Sequence, residues 1–271
     1  MTKFKDFLKE INFTLHPKGL FSLNKINESN IIKTFQSDVL GNCTVVKDND
    51  KTTLYDEQGY IHSEIHDDFT KVQGPFALLP IGSLMINPKE VLLIGLGLGN
   101  VYNFFTNFLP DTNVTSIEYD ANTAKTTQEF LGIPQPSVIV ADGSRAVYEL
   151  PTAIYDVLIL DAYDDVSIPE GFRTQEFWNQ SKIICKEECC VTVNYCAGSS
   201  EDFEVFSAVH NLIQETFDIK YISKAKAEGY NNFVYHYFTF EPQTDLSDYV
   251  QGEYNPATLD NSEGYGFTDE I

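Results

Sequence analysis

The sequence predicts an α/β fold with a mainly parallel sheet covered on both faces, preceded by a small antiparallel β region. Two observations carry this prediction. After Pro88, strand-like and helix-like runs alternate regularly, and three glycines at alternate positions follow the first of these strands. Such alternation requires parallel strands joined by helical crossovers, and folds of this kind bind ligands at the carboxyl ends of their strands.

Residues 1–88 are predicted to contain a β-meander. Short runs of alternating character are broken by turn-forming residues at 48–50 and 57–59. The predicted strands are 31–37, 42–47, 51–56 and 60–64. Because the region is too small to hold a deep core alone, we expect it to cover the ligand site or to form a dimer contact.

Residues 89–241 are predicted to form the catalytic domain, and residues 242–271 an acidic C-terminal tail. The predicted strands are 90–95, 113–118, 137–141, 153–160 and 189–195, and the predicted helices are 101–109, 121–131, 144–150, 173–184 and 201–216. Two last runs, 219–223 and 232–241, predict a terminal antiparallel hairpin on the sheet edge. A seven-stranded sheet whose last strand is antiparallel is typical of the Rossmann-like class I methyltransferase fold, by analogy of fold alone.

The glycine-rich turn after the first strand predicts a nucleotide site. Gly95, Gly97 and Gly99 have no Cβ atoms, so the backbone can turn sharply and approach a ligand closely. Glu118 ends the next predicted strand, where a carboxylate can accept hydrogen bonds from both ribose hydroxyls. Glycine triplets alone are a weak signal, but the strand, the helix and the acidic residue together favour a nucleoside site over ordinary turn glycines.

Further carboxylates follow the next two predicted strands on the same edge. Asp142 and Gly143 follow the third strand, where Asp142 can bind an adenine amino group. Asp161 follows the fourth strand, where its carboxylate can orient an amine and accept its proton. The alternative is that Asp142 and Asp161 cap the helices that follow them, and for Asp142 capping and ligand binding are compatible. For Asp161 function is favoured, because carboxylates that converge in a cleft are costly without a cationic ligand.

The charge of the chain narrows the choice of partner. Its 18 Lys and Arg against 40 Asp and Glu give a formal net charge of −22. Nucleic acids and anionic membranes are therefore unsuited partners, since phosphate contacts need clustered cations. We expect a small neutral or cationic ligand. With no basic-apolar leader and no long apolar stretch in the sequence, we expect a cytoplasmic protein.

No metal site is predicted. Cys185, Cys189, Cys190 and Cys196 lie close together, but they lack two clean C-x-x-C pairs and follow the pattern of a buried strand, in which cysteines act as small hydrophobic residues. His62 and His66 lie near acidic residues, and a solvated hairpin edge explains them better than a metal centre.

Residues 29–240 resemble the spermidine synthase group of aminopropyltransferases and the related S-adenosylmethionine-binding proteins of the same fold. The matching segments are residues 67–69, 93–100, 117–120, 141–143 and 155–164. The resemblance implies that Glu118 binds the donor's ribose and that Asp142 and Gly143 bind its adenine. It also implies that Asp161 and Asp164 bind the amine acceptor.

The chain also departs from the pattern of these enzymes. In them, the glycine loop carries an aspartate for the donor's terminal amine, and here that position is Leu98. The position of a polyamine-binding tyrosine is Lys71, which would repel a polyamine, and Val72 follows it where a Gln or His is expected. Gln73 lies one residue further on and is the candidate donor contact. Gly41 replaces a further donor-contacting Gln, and the Tyr-Pro element is missing from residues 221–229.

The sequence therefore leads to three hypotheses. The first is methyl transfer from S-adenosylmethionine to an amine or another small neutral or cationic acceptor, with Asp161 accepting the proton. The second is polyamine aminopropyl transfer from decarboxylated S-adenosylmethionine, which Asp161 and Asp164 support and Leu98 opposes. The third is a non-catalytic nucleoside-binding homologue. For each hypothesis we expect a homodimer.

Overall fold

Two β-sheets organise the described part of the chain. The computed structural model describes residues 28–67, 72, 74–164, 167–196, 200–227, 232–242 and 254–255. A four-stranded antiparallel sheet comes first, and an eight-stranded mixed sheet follows it. This confirms the predicted α/β fold with a small antiparallel region before it.

The first sheet is the predicted meander. Its strands are β1 (Ile31–Ser37), β2 (Gly41–Asp48), β3 (Lys51–Tyr55) and β4 (Ile61–His66), paired in sequence order. One face buries an apolar cluster contributed by these strands and by Leu98 of the glycine loop, which consists of Cys43, Val45, Leu54, Ile65 and Leu98. The second sheet thus contributes a residue to the core of the first.

The second sheet has the strand order of the predicted fold. Its strands are β5 (Glu90–Ile94), β6 (Asn113–Glu118), β7 (Val138–Val140), β8 (Tyr155–Leu160), β9 (Cys185–Cys196), β10 (Tyr221–Ala227), β11 (Asn232–Phe238) and β12 (Tyr254–Asn255). They lie in the order β12-β10-β11-β9-β8-β5-β6-β7. Strands β5 to β9 pair with one another in parallel, whereas β11 is antiparallel to both β9 and β10.

The terminal antiparallel hairpin lies at the end of the sheet where the sequence predicts it. Its strand β11 pairs with β9 on the inner side, and β10 lies outside β11. The two-residue strand β12, from the segment predicted as a tail, pairs with the outer side of β10. Strand β11 is therefore hydrogen-bonded on both sides, and its buried residues Val234–Phe238 belong to the core.

Helices cover both faces of the second sheet. They are α1 (Pro75–Leu78), α2 (Asn100–Phe108), α3 (Ala121–Leu131), α4 (Gly143–Ala146), α5 (Gln175–Ile184) and α6 (Ser200–Thr216). One face packs Trp178, Val209 and Ile213 from α5 and α6, and the other packs Phe104 and Phe105 from α2. The predicted helix 144–150 consists of α4 followed by a 3-10 turn, Val147–Glu149.

Strand β9 is longer than predicted because its first part is polar. It begins at Cys185, directly after α5, whereas the sequence pattern predicts a start at residue 189. Lys186 lies in this first part and donates to Asp156 Oδ1 at 2.6 Å, and Asp156 Oδ2 accepts from the backbone of Lys89 and Glu90. These bonds join the amino ends of β5, β8 and β9. No described helix is long and apolar enough to cross a membrane.

Candidate functional site

The glycine loop lies directly against the end of β8. Gly95, Gly97 and Gly99 have φ angles of +94°, +50° and +80°, which L side chains rarely adopt. A Cβ on Gly95 would lie 2.0 Å from the carbonyl oxygen of Asp161, and one on Gly97 would lie 2.9 Å from Ser63 Oγ. Glycine at these two positions lets the loop contact β8 on one side and the meander on the other.

Glu118 is fixed against this loop. Its Oε2 accepts hydrogen bonds from the backbone N–H groups of Leu96 at 2.9 Å and Gly97 at 3.3 Å, and its Oε1 accepts from Asp120 N at 3.0 Å. Burial is the main cause that raises the pKa of Glu118, and these backbone donors oppose it. A carboxylate oxygen can accept more than one hydrogen bond, so this arrangement leaves capacity for ligand hydroxyls.

Asp161 follows β8 and lies close enough to Glu118 for their charges to interact. The pKa of Asp161 is raised to about 6, mainly by burial; the hydrogen bond from Asn194 lowers it and the charge of Glu118 raises it within that result. The ion pairs of the described residues do not include Asp161 or Glu118. Two partly buried carboxylates without a cation fit a ligand that brings a positive charge, such as a sulfonium or an ammonium group.

Asp142 and Gly143 begin helix α4. Asp142 is exposed, and its Oδ1 accepts from Ser144 N at 2.9 Å and Ser144 Oγ at 2.7 Å, so the capping interpretation is correct. A Cβ on Gly143 would lie 2.6 Å from Ile94 Cγ2 and 3.2 Å from Phe172 Cζ. The glycine thus allows α4 to pack on β5, and the adenine role of both residues stays a prediction.

Of the remaining predicted residues, one is exposed and one lies outside the described part. Asp164 is exposed, and its backbone forms two hydrogen bonds with Ser167 at 2.9 and 3.2 Å. Gln73 and Lys71 lie outside the described residues, and Val72 between them is buried. Asp164 and Gln73 stay predictions as ligand contacts.

Leu98 has a structural role that its sequence position does not reveal. Its side chain is 1% exposed and packs in the core of the meander, and its N–H donates to Ser63 Oγ at 3.0 Å. The residue that lacks the amine-binding carboxylate therefore joins the glycine loop to β4.

Sequence reasoning missed Asn194, which contacts Asp161. It is a buried polar residue within an apolar strand, and such a residue needs hydrogen-bond partners inside the protein. This rule would have found it. The histidines are paired, His62 with Asp56 at 2.8 Å and His66 with Glu64 at 3.4 Å. Among the described residues, no group of three or more metal-ligating side chains could hold an ion.

The chain is similar to known polyamine enzymes. No family model matches it. It is 25% identical over 131 residues to a polyamine aminopropyltransferase of Vibrio vulnificus, a match that covers 46% of this chain and 44% of the relative. It is 22% identical over 222 residues to a polyamine aminopropyltransferase of Korarchaeum cryptofilum, with 79% and 64% covered. The matches thus span less than two thirds of these relatives.

Solved structures share the fold. A probable spermidine synthase from Corynebacterium glutamicum has a TM-score of 0.66 at 18% identity and covers 78% of this chain and 81% of its own. A spermidine synthase in complex with the transition-state analogue AdoDATO has a TM-score of 0.61 at 19% identity, with 86% and 85% covered. Human methyltransferase-like protein 13 in complex with SAH has a TM-score of 0.53 at 20% identity, with 65% and 86% covered.

The strand order, the glycine loop and the acidic residue after β6 define a Rossmann-like protein with the class I methyltransferase fold. Within that class, the chain is similar to spermidine synthases and polyamine aminopropyltransferases, the group that its sequence resembles.

Proposed function

We propose that the protein transfers an aminopropyl group from decarboxylated S-adenosylmethionine to an amine acceptor. The observation that carries this proposal is the convergence of Asp161 and Glu118 on the glycine loop, where the ion pairs of the described residues include neither carboxylate. The methyl transfer that we favoured from the sequence has less support, because the curated relatives are polyamine aminopropyltransferases.

The chain's own residues have three tasks in this reaction. Glu118 binds the donor's ribose, Asp142 contacts the adenine, and Asp161 orients the acceptor nitrogen and accepts its proton. The donor supplies a sulfonium, which makes the adjacent propyl carbon electrophilic. The acceptor nitrogen forms a bond to that carbon, the carbon–sulfur bond breaks with its electron pair left on sulfur, and methylthioadenosine leaves. With a pKa of about 6, Asp161 is ionised at neutral pH and ready for the proton.

Methyl transfer stays a second candidate because of Leu98. The resemblance implies an aspartate at this position for the donor's terminal amine, and Leu98 instead points into the core of the meander. Its side chain cannot bind an ammonium group. A donor with a different tail, such as S-adenosylmethionine, would then leave S-adenosylhomocysteine as its product.

Calorimetry with four ligands separates these candidates. We expect decarboxylated S-adenosylmethionine and methylthioadenosine to bind more tightly than S-adenosylmethionine and S-adenosylhomocysteine, and mass spectrometry to find an aminopropylated amine. The reverse order of affinities, with a methylated product, would establish the second candidate. Binding without any product in a broad amine panel would establish the non-catalytic hypothesis.

A matched pair of variants tests the site itself. Glu118→Ala removes the proposed ribose ligand, and Asp111→Asn changes an exposed acidic residue just before β6, at the opposite edge of the sheet. Only the first substitution is expected to lower the affinity for all four ligands, and unchanged affinities would contradict the site.

Light scattering checks the proposed homodimer, whose mass is expected at about twice the chain mass of 30.6 kDa.

A further inference from the structure

A row of three side chains crosses the end of the second sheet. Asn232, at the start of β11, donates from Nδ2 to Asn194 Oδ1 at 3.0 Å. Asn194, in β9, donates from Nδ2 to Asp161 Oδ1 at 2.9 Å. The three residues come from three neighbouring strands, and the row ends on the proposed proton acceptor.

The direction of this row follows from the chemistry of an amide. The oxygen of Asn194 faces the NH2 group of Asn232, so the NH2 group of Asn194 must face Asp161. An NH2 group only donates, and therefore Oδ1 of Asp161 must accept. A proton on Oδ1 of Asp161 would be repelled by the amide hydrogens of Asn194.

The loop that carries Asp161 is attached to the same residue. Tyr163 Oη donates to the backbone oxygen of Asn194 at 2.7 Å. Asn194 is 3% exposed and lies between the buried residues Val193 and Tyr195. A side chain packed this tightly can hold a carboxylate in one orientation.

We propose that Asn194, oriented by Asn232, is a positioning residue that holds Oδ1 of Asp161 as a hydrogen-bond acceptor and leaves Oδ2 to face the acceptor amine. This proposal rests on the proposed function for the identity of the amine. The geometry of the row does not depend on it.

The hydrogen bond from Asn194 opposes the other influences on the pKa of Asp161. Burial and the charge of Glu118 raise the pKa of Asp161, and the hydrogen bond from Asn194 lowers it. Among the described residues, Tyr163, Tyr195 and Cys196 are further titratable groups near this place. The pKa of Tyr163 is raised well above its usual range, mainly by burial and then by the charge of Asp161. Tyr163 is therefore neutral at working pH and adds no charge near the carboxylate.

The test measures the titration of Asp161 directly. Carboxyl carbon NMR on the ligand-free protein follows its protonation, with the signal assigned by its absence in Asp161→Asn. For Asn194→Leu we expect the Asp161 pKa to rise by about one unit, the size expected for losing a hydrogen bond to an ionised carboxylate. Asn232→Leu is expected to shift it in the same direction by less. An unchanged pKa in both variants would overturn the proposal.

Thr192→Val is the matched control. Thr192 lies two residues before Asn194 on the same strand and shares a buried hydrogen bond with His236 at 2.9 Å. Loss of this hydrogen bond is expected to lower the stability of the protein without changing the pKa of Asp161. A rise of that pKa in Thr192→Val as large as the rise in Asn194→Leu would also overturn the proposal. If the Asn194→Leu protein does not fold, the pKa of Asp161 in Asn232→Leu provides the test, since Asn232 is partly exposed.

Kinetics separate this proposal from the proposed function. In an active enzyme, the acid limb of the kcat/KM profile should move to higher pH together with the NMR titration. If the carboxyl titration shifts but no amine is alkylated by the wild-type protein, the function fails while the positioning role stands. If transfer occurs and neither titration nor pH profile moves, the function stands and the positioning role fails.

Discussion

Asp161→Asn should make the folded protein more stable at neutral pH while abolishing transfer. The substitution removes the charge and keeps an oxygen that can accept from Asn194 Nδ2. Folding raises the pKa of Asp161 from 3.8 to about 6. At 1.36 kcal/mol per pKa unit, this shift costs the native state about 3 kcal/mol when the carboxyl is ionised, and partial solvent exposure reduces that figure.

The direction in which stability changes with pH follows from how tightly the native and unfolded states bind the proton of Asp161. Between pH 4 and 6, roughly, the native state holds the Asp161 proton more tightly than the unfolded chain, so its stability falls as pH rises through this window. The penalty reaches about half its size by pH 5 and is complete above about pH 7. The variant lacks the penalty, so its advantage over the wild type should grow from pH 5 to pH 8.

Urea unfolding measures this difference. The single tryptophan, Trp178, is completely buried and reports loss of the core by fluorescence. Asp111→Asn, a change of an exposed aspartate to its amide just before β6, is the matched control. The reasoning would be refuted by an Asp161→Asn protein that is less stable than wild type at pH 8, or by an advantage that does not grow with pH.

Three further substitutions, with Gly132→Ala as a control, test the loop and its neighbours. Gly95→Ala should abolish donor binding in calorimetry, because the new Cβ would lie 2.0 Å from the Asp161 carbonyl oxygen. Gly132 has a φ of +67° and nothing within 4 Å of the position of an added Cβ, so Gly132→Ala should lower the free energy of unfolding in urea by only about 1 kcal/mol. Leu98→Asp should cost at least about 3 kcal/mol by the same assay, because it buries a carboxylate in the meander core, and a gain in affinity for decarboxylated S-adenosylmethionine would contradict this role. Glu118→Gln should weaken donor binding about 10- to 100-fold in calorimetry, and an unchanged affinity would remove it from the ribose site.

The fold was predictable from local patterns wherever those patterns reflect burial. The apolar run before Gly95 and the alternating runs of the meander follow directly from which faces are covered. The placement of β11 inside the sheet was not predictable this way, because pairing between distant strands leaves no local signal. The first four residues of β9, 185–188, were missed because most of them are polar, and Lys186 pairs with Asp156 instead of following an apolar pattern.

The candidate site was only partly predictable. Glu118 and Asp161 could be placed because parallel strands end on a common edge. Three other features depend on side chains from different elements that meet in the fold. They are the interaction between the charges of Glu118 and Asp161, the orientation of Asn194 by Asn232, and the burial of Leu98. Spacing along the chain carries no information about such contacts.

The burial of Leu98 has a consequence for how this protein can evolve. At the position where similar enzymes are expected to carry an aspartate, the chain has a residue on which its two sheets depend for packing. A single substitution of Leu98 by aspartate would pass through a destabilised protein before any change in ligand preference could be selected. The apolar residue is therefore difficult to replace, and an aspartate at this position would first require compensating substitutions around Cys43, Leu54 and Ile65.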